Sequence, residues 1–134
     1  MNSSPKKILI IEDDLIMRDI VVRKLSYFGH DISVASDGKE GLEIIAKETP
    51  DLIVLDLLLP EMDGFTVLER IRSNENKKIA STPVIILSNL WSNQDKARIQ
   101  ELKVEDYLIK SLNTTEEIAE KINRIIKSLS EKSG

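Results

Sequence analysis

Several residue types that usually indicate a function are absent or rare in this chain. Its 134 residues include no cysteine, one histidine and 4% aromatic residues. Without cysteine, disulfides and thiolate metal sites are excluded. No apolar run approaches the ~20 residues of a membrane span, and the first residues, MNSSPKK, lack the hydrophobic segment of a secretory signal. We therefore expect a cytoplasmic protein with no membrane partner.

The charge balance is only mildly negative. Nineteen Lys and Arg against 23 Asp and Glu give a formal net charge of −4, which gives no reason to expect direct contact with nucleic acid. A hydrophobic content of 41% argues against disorder. The length suits one domain, for which we predict residues 1–134, with a core over about 6–128 and a flexible tail over 129–134. No output domain is expected after that tail.

Short aliphatic runs alternate with segments of helical spacing. Continuously apolar runs are typical of strands covered on both faces, as in a parallel sheet. Five alternating strand–helix units predict an α/β fold with an open, doubly wound parallel sheet, because a closed barrel would need eight. Two polar stretches, Ser73–Thr82 and Ser128–Gly134, are predicted to be loops. The predicted strands are Ile8–Ile11, Ile32–Ala35, Leu52–Leu55, Val84–Leu87 and Tyr107–Ile109.

Capping residues and apolar spacing locate the helices. Asp37 with Glu40, and Thr114 with Glu117, have the spacing of capping boxes. The first helix is predicted to end near Gly29. The apolar residues that define the five helices are Leu15, Ile16, Ile20 and Leu25; Leu42, Ile44 and Ile45; Phe65, Leu68 and Ile71; Ala97, Ile99 and Leu102; and Ile118, Ile122, Ile125 and Ile126.

Polar side chains follow four of the five predicted strands. Because parallel strands end at one edge of their sheet, these side chains should converge there. Taken singly, each is better explained as a helix cap or a solvated residue, but the set at successive strand ends indicates a site. Its members are Glu12, Asp13 and Asp14 after the first strand, Asp56 after the third, Ser88 after the fourth and Lys110 after the fifth.

Converging carboxylates need positive charge nearby. Two like charges ~4 Å apart repel by about 4 kcal/mol at an effective dielectric constant near 20. Mg²⁺, which prefers oxygen ligands, and the ammonium of Lys110 could each relieve this repulsion. The same positive charge would let a phosphoryl donor approach, so the residues favour phosphoryl transfer to Asp56.

The motifs at these strand ends resemble those of response-regulator receiver domains of two-component signalling, over essentially the whole chain. The matching segments, in order, are ILIIEDD, DLIVLDLLLPEMDG, the hydroxyl after VIIL, and DYLIK. The resemblance implies a flavodoxin-like five-stranded sheet of order 2-1-3-4-5. It also implies a Mg²⁺ cofactor. Without an output domain the chain would be a single-domain regulator or a phosphorelay shuttle, and a receiver excised from a longer protein is equally compatible.

The resemblance further implies a role for each matching residue. Asp56 corresponds to the phosphoacceptor, Asp13 to the direct Mg²⁺ ligand, and Glu12 to an acid acting through metal-bound water. Leu58 corresponds to the position whose backbone carbonyl binds the metal, and Asp14 to a helix-start residue. The switch residues would be Ser88, whose hydroxyl bonds the phosphoryl group, and Tyr107, for which an ordinary strand tyrosine is an equal alternative; Lys110 would pair with Asp56 or its phosphate.

The chain departs from the family pattern in four places. The family usually has proline, with a cis bond, where Ser111 follows Lys110, so either strain is stored there or the bond is trans. Lys103-Val104 stands where Gly-Ala is common, and glycine favours the left-handed conformation at a helix end. The loop Ser73–Thr82 is slightly long. Trp91 is either a core residue or a partner anchor.

The predicted function is a phosphorylation switch. A histidine kinase or phosphotransfer protein would phosphorylate Asp56. The output would be contact with a protein target, or self-association through the predicted fourth helix, fifth strand and fifth helix. The protein would not turn over an external substrate as an enzyme does. The alternative is a degenerate receiver that binds partners without phosphorylation; a phosphatase-type enzyme is disfavoured by Leu58, and a dinucleotide-binding domain by the absence of G-x-G-x-x-G.

Overall fold

A computed structural model describes residues 6–89 and 92–133 of the chain; Leu90 and Trp91, and with them the predicted role of Trp91, lie outside this range. The described part contains five strands and six α-helices, with two helices between the third and fourth strands and one after every other strand. The strands are β1 (Lys7–Ile11), β2 (Asp31–Ala35), β3 (Leu52–Leu55), β4 (Val84–Ser88) and β5 (Asp106–Ile109). The helices are α1 (Leu15–Tyr27), α2 (Gly38–Glu48), α3 (Gly64–Arg72), α4 (Lys77–Ala80), α5 (Asn93–Glu101) and α6 (Thr115–Ser133), with a 3-10 turn at Lys110–Leu112.

All five strands lie in one parallel sheet of order β2-β1-β3-β4-β5. This confirms the predicted doubly wound, flavodoxin-like fold. The strand order reverses beside β1, so the carboxyl ends of β1 and β3 lie next to each other at the point where open α/β sheets form their sites. The register pairs Ile11 with Leu55, which places the residues that follow these two strands side by side.

Apolar side chains from the sheet fill a core on each face. Alternate residues of a strand point to opposite faces, so Leu9 and Ile11 join one core while Ile8 and Ile10 join the other. Helices α2, α3, α4 and α5 cover the first face, and α1 and α6 cover the second. No helix in the described ranges combines the length and apolarity that crossing a membrane requires.

Side-chain caps begin the helices at the residues expected from the sequence. Asp14 accepts a hydrogen bond from the backbone of Met17 and starts α1. Asp37 accepts from the backbone N–H of Glu40 at 2.8 Å. Before α6 the capping box is reciprocal: Thr114 Oγ1 accepts from the Glu117 N–H, and the Glu117 carboxylate accepts from the Thr114 N–H. These contacts satisfy backbone donors that a helix start leaves unpaired.

Three parts of the helix layer differ from the sequence-based expectations. The predicted loop Ser73–Thr82 contains α4, which Asn76 caps. The predicted loop from Ser128 is helical, because α6 continues to Ser133. Helix α1 lies where its apolar spacing predicted and buries Leu25 as expected, yet Ile16 is 77% exposed and Val21, which was not predicted, is buried. Apolar residues occur on several sides of α1, so spacing alone did not identify the buried face.

Lys103 adopts the left-handed conformation that glycine would favour, with φ of 53°. The guanidinium of Arg72 holds this turn by donating to the carbonyl oxygens of Leu102 and Lys103 at 2.7 and 3.1 Å. It also donates to the carbonyls of Ala80 and Thr82, so one side chain connects α3, α4 and the end of α5. Burial lowers the pKa of Arg72, but the group remains charged.

The Lys103 turn leads to a stability prediction. Lys103→Gly should raise the free energy of unfolding by about 0.5–1 kcal/mol, because glycine adopts positive φ without steric strain. The backbone carbonyl that binds Arg72 is unchanged by this substitution. Urea unfolding would measure the effect, with Lys103→Ala as the control that keeps a Cβ. Equal stability of the two variants would show that the left-handed backbone is not what limits stability here.

Candidate functional site

The carboxyl edge of the sheet holds two buried carboxylates. Glu12 directly follows β1 and Asp56 directly follows β3; they are 1% and 3% exposed. The backbone extends the sheet to this point, because the Glu12 N–H donates to the Ala35 carbonyl and the Asp56 N–H donates to the Ile11 carbonyl. Main-chain hydrogen bonds therefore fix both acids side by side.

A single ammonium group lies between these acids. Lys110, the residue after β5, places Nζ 2.7 Å from Asp56 Oδ2 and 2.6 Å from Glu12 Oε1. The other oxygens are occupied by backbone donors: the Leu58 N–H donates to Asp56 Oδ1, and the Asp14 N–H donates to Glu12 Oε2. The predicted convergence of these side chains is therefore present in the structure.

The surroundings of the site raise the pKa values of both Glu12 and Lys110. Burial raises the pKa of Glu12 to about 7, and the charge of Asp56 acts in the same direction, although Lys110 and the Asp14 N–H oppose the shift. For Lys110, burial would lower the pKa, but hydrogen bonds to Asp56 and Glu12 outweigh it and raise the pKa above its usual value. The lysine is therefore an ammonium at neutral pH, and burial makes the ionisation of Glu12 costly.

The acidic side chains could also hold a metal ion. Glu12, Asp13 and Asp56 each offer a carboxylate oxygen, and these oxygens lie within 4.8 Å of one another. Asp13 is exposed while the other two are buried, so the cluster opens to solvent on one side. Hard oxygen donors are the ligands that Mg²⁺ prefers, so this donor set fits the ion. Leu58 as a carbonyl ligand stays a prediction; its side chain is 55% exposed.

The predicted switch residues lie on the two neighbouring strands. Ser88 is the last residue of β4 and is fully buried, and the register pairs it with Ile109, directly before Lys110. Tyr107 on β5 is partly buried against the core that α2–α5 cover. Burial, with the charges of Asp95 and Asp56, raises the pKa of Tyr107 to about 12, so its hydroxyl stays protonated. Their switch roles stay predictions.

Two asparagines near Lys110 were not found by sequence reasoning. Asn89 accepts a hydrogen bond from the Ser111 N–H at 2.8 Å, and Asn113 donates to the Ile109 carbonyl at 2.8 Å. The described residues contain no cis peptide bond, so the Lys110-Ser111 bond is trans. The only sequence signal for the first contact was the serine at 111, because proline there would have no N–H to donate.

Comparison with known proteins matches residues 8–123 to the family model described as Response regulator receiver domain. Among solved structures, a CheY-like response regulator receiver domain protein from Methanospirillum hungatei superposes with a TM-score of 0.82 at 27% identity. The match covers 98% of this chain and 100% of that one. Family and fold therefore agree with the geometry of the carboxyl edge.

The relatives by sequence are longer proteins. The DNA-binding dual master transcriptional regulator RpaA of Synechocystis sp. is 41% identical over 84% of this chain and 46% of its own length. The protein named "Probable transcriptional regulator ycf27" of Porphyridium aerugineum is 37% identical over 83% of this chain and 44% of its own length. The chain thus spans about half the length of these relatives.

These names correct the predicted partners. The expectation of protein partners without nucleic acid is wrong, because RpaA is named as a DNA-binding regulator. The expectation rested on the net charge of −4. That charge describes only the residues of this chain, whereas more than half of each relative lies outside the match. The net charge of this chain therefore gives no information on what the unmatched parts of those relatives bind.

The raised pKa of Glu12 predicts a pH-dependent stability. The folded protein holds this proton up to about pH 7, whereas an unfolded glutamate loses it near 4.5. Without divalent cations, the free energy of unfolding should therefore fall by about 1–2 kcal/mol between pH 5 and pH 8 relative to Glu12→Gln, which has no proton to lose. Urea unfolding in a chelator at several pH values measures the difference. Parallel pH profiles for the two proteins would contradict this.

Gly64, the first residue of α3, lets the backbone of Asp56 and Leu57 lie against this helix. A Cβ at this position would collide with the carbonyl oxygen of Asp56 and lie 2.5 Å from Leu57 Cα. Because both contacts are with backbone, Gly64→Ala should lower the free energy of unfolding by about 1–3 kcal/mol. Gly29→Ala is the control, since that site has open space and only its φ of +93° opposes a side chain. A loss at Gly64 below about 0.5 kcal/mol would rule out the collision, whatever backbone strain Gly29→Ala introduces.

Proposed function

Because this chain belongs to the family of response regulator receiver domains, we propose that it is a phosphorylation-dependent switch whose acceptor is Asp56. The observation that carries the proposal is the Lys110 ammonium, which lies within 2.7 Å of two buried carboxylates. Asp56 is one of these two acids, and its charge is offset before any donor arrives. A phosphorylated histidine of a kinase, or of a phosphotransfer protein, is the proposed donor.

In the proposed reaction, one carboxylate oxygen of Asp56 forms a bond to phosphorus as the bond from phosphorus to the donor breaks. The donor nitrogen keeps the electron pair and takes a proton from solvent. Lys110 stabilises the negative charge on Asp56 and on the incoming phosphoryl oxygens, which is the main catalytic need of phosphoryl transfer. The Ser88 hydroxyl would then donate to a phosphoryl oxygen.

The proposed cofactor is Mg²⁺. Glu12, Asp13 and Asp56 would hold it, with Glu12 acting through water and the Leu58 carbonyl as a further ligand. A bound Mg²⁺ supplies positive charge that offsets the carboxylates and the phosphoryl group. We propose that the protein catalyses its own phosphorylation and dephosphorylation and is not a turnover enzyme on an external substrate. A cytoplasmic location stays part of this proposal.

The proposed output is control of a DNA-binding effector. RpaA is named as DNA-binding, and this chain matches 46% of its length. The receiver would therefore act on an effector that binds DNA. Phosphorylation adds charge and strong hydrogen-bond acceptors at Asp56, which would shift the β4 end at Ser88 and, through it, Tyr107.

Phosphorylation of Asp56 can be tested by intact-protein mass after incubation with acetyl phosphate. We expect a gain of one phosphoryl group in the presence of Mg²⁺, and none with a chelator or in Asp56→Asn. Asp63→Asn is the matched control, because Asp63 caps α3 and asparagine caps equally well. A phosphoryl group retained by Asp56→Asn would place the acceptor elsewhere. No gain under any condition would favour the interaction module that works without phosphorylation.

A further inference from the structure

The side chain of Asn89 connects two loops of the site. Asn89 follows Ser88 at the end of β4, and its Oδ1 accepts a hydrogen bond from the backbone N–H of Ser111 at 2.8 Å. Ser111 in turn follows Lys110. We propose that Asn89 is a positioning residue that holds Lys110 against Asp56 and Glu12, an inference about the reaction site that rests on the proposed function.

The donor in this contact is a backbone group, which fixes its chemistry. An N–H can only donate, so the oxygen of the Asn89 amide must face it. The serine at position 111 therefore contributes its N–H, while its hydroxyl is not required. Receiver domains that carry proline after this lysine have no N–H there, so this contact depends on the departure from the family pattern in this chain.

Other hydrogen bonds hold the turn that contains Lys110 and Ser111. Asn113 donates to the Ile109 carbonyl at 2.8 Å, and the Asn113 N–H donates to the Lys110 carbonyl at 3.3 Å. The ammonium of Lys121 on α6 lies 2.5 Å from the Asn113 amide oxygen. These contacts tie the turn to β5 and α6, whereas the contact with Asn89 ties it to β4.

The hydrogen bond between Asn89 and Ser111 joins the ends of β4 and β5. It bears on the reaction because Ser88 and Lys110, at these two strand ends, would bind the same phosphoryl group. The register pairs Ser88 with Ile109, so the Asn89 contact lies one residue beyond each of the two functional side chains. Lys110 Nζ lies 2.7 Å from the Asp56 carboxylate and 2.6 Å from that of Glu12. A displacement of the turn that carries Lys110 would lengthen both contacts. Asn89 is exposed, so its hydrogen bond should change an equilibrium by about two- to tenfold rather than abolish the fold.

The position of Lys110 can be measured without phosphorylation. Only a neutral amine can attack an acylating reagent, so a lysine held as an ammonium between two carboxylates reacts slowly. Its modification rate, followed by peptide mass spectrometry, should rise about two- to tenfold in Asn89→Ala. The exposed Lys39 on α2 is the internal reference. Asn89→Asp retains the acceptor oxygen, and Ser111→Ala retains the N–H, so both should keep the slow rate.

The effect on the reaction can be separated from a general loss of structure. Asn89→Ala should lower the initial rate of Asp56 phosphorylation by acetyl phosphate about two- to tenfold. If Asn89 acts through Lys110, the same change in a Lys110→Ala protein should have no further effect. A residue that only stabilised the fold would lower the rate in both backgrounds. Thermal unfolding midpoints identify any variant that has lost its structure.

The outcomes distinguish the inference from the proposed function. Faster Lys110 modification in Asn89→Ala, with slow modification in Asn89→Asp and Ser111→Ala, supports the positioning role even if no variant accepts phosphate. In that case the lack of phosphorylation in every protein, the wild type included, would overturn the proposed function but not the positioning role. Modification of Lys110 at the wild-type rate in Asn89→Ala would overturn the positioning role. A further drop in phosphorylation rate in the Lys110→Ala background would also overturn it.

Discussion

The site depends on one shared cation, the ammonium of Lys110 between Glu12 and Asp56. Buried carboxylates at this spacing repel one another, and each also loses the hydration that stabilises its charge. Lys110 offsets part of both costs, but burial still raises the pKa of Glu12 to about 7. A site with surplus negative charge and solvent access at Asp13 favours the arrival of another cation.

The parallel fold makes this arrangement possible. Each crossover returns the chain to the amino-terminal edge, so every strand ends at the same side of the sheet. Backbone hydrogen bonds to the Ile11 and Ala35 carbonyls fix the two buried acids, and the absence of a side chain at Gly64 lets α3 approach Asp56 and Leu57. The constraints on the site are thus largely main-chain constraints, which tolerate little adjustment.

Sequence reasoning succeeded where short-range chemistry decides the structure. Asp37 and Thr114 cap the helices that their spacing predicted, because a cap involves neighbouring residues alone. It failed where packing decides: Ile16 lies on the exposed side of α1, and residues 128–133, predicted as part of a loop, are helical. The expected absence of a nucleic-acid partner was wrong for another reason: it rested on the net charge of this chain, which matches only 46% of the length of RpaA.

The sequence by itself determined the five strands, the acids and the lysine that follow them, and hence the edge at which they meet. Only the tertiary structure decided that Lys110 contacts both Glu12 and Asp56, since the lysine and Asp56 are 54 residues apart in the chain. It also decided that Asn89 meets the Ser111 N–H across 22 residues. The physical reason is that strand register and the path of the last turn set these distances, and both depend on packing over the whole sheet rather than on local sequence.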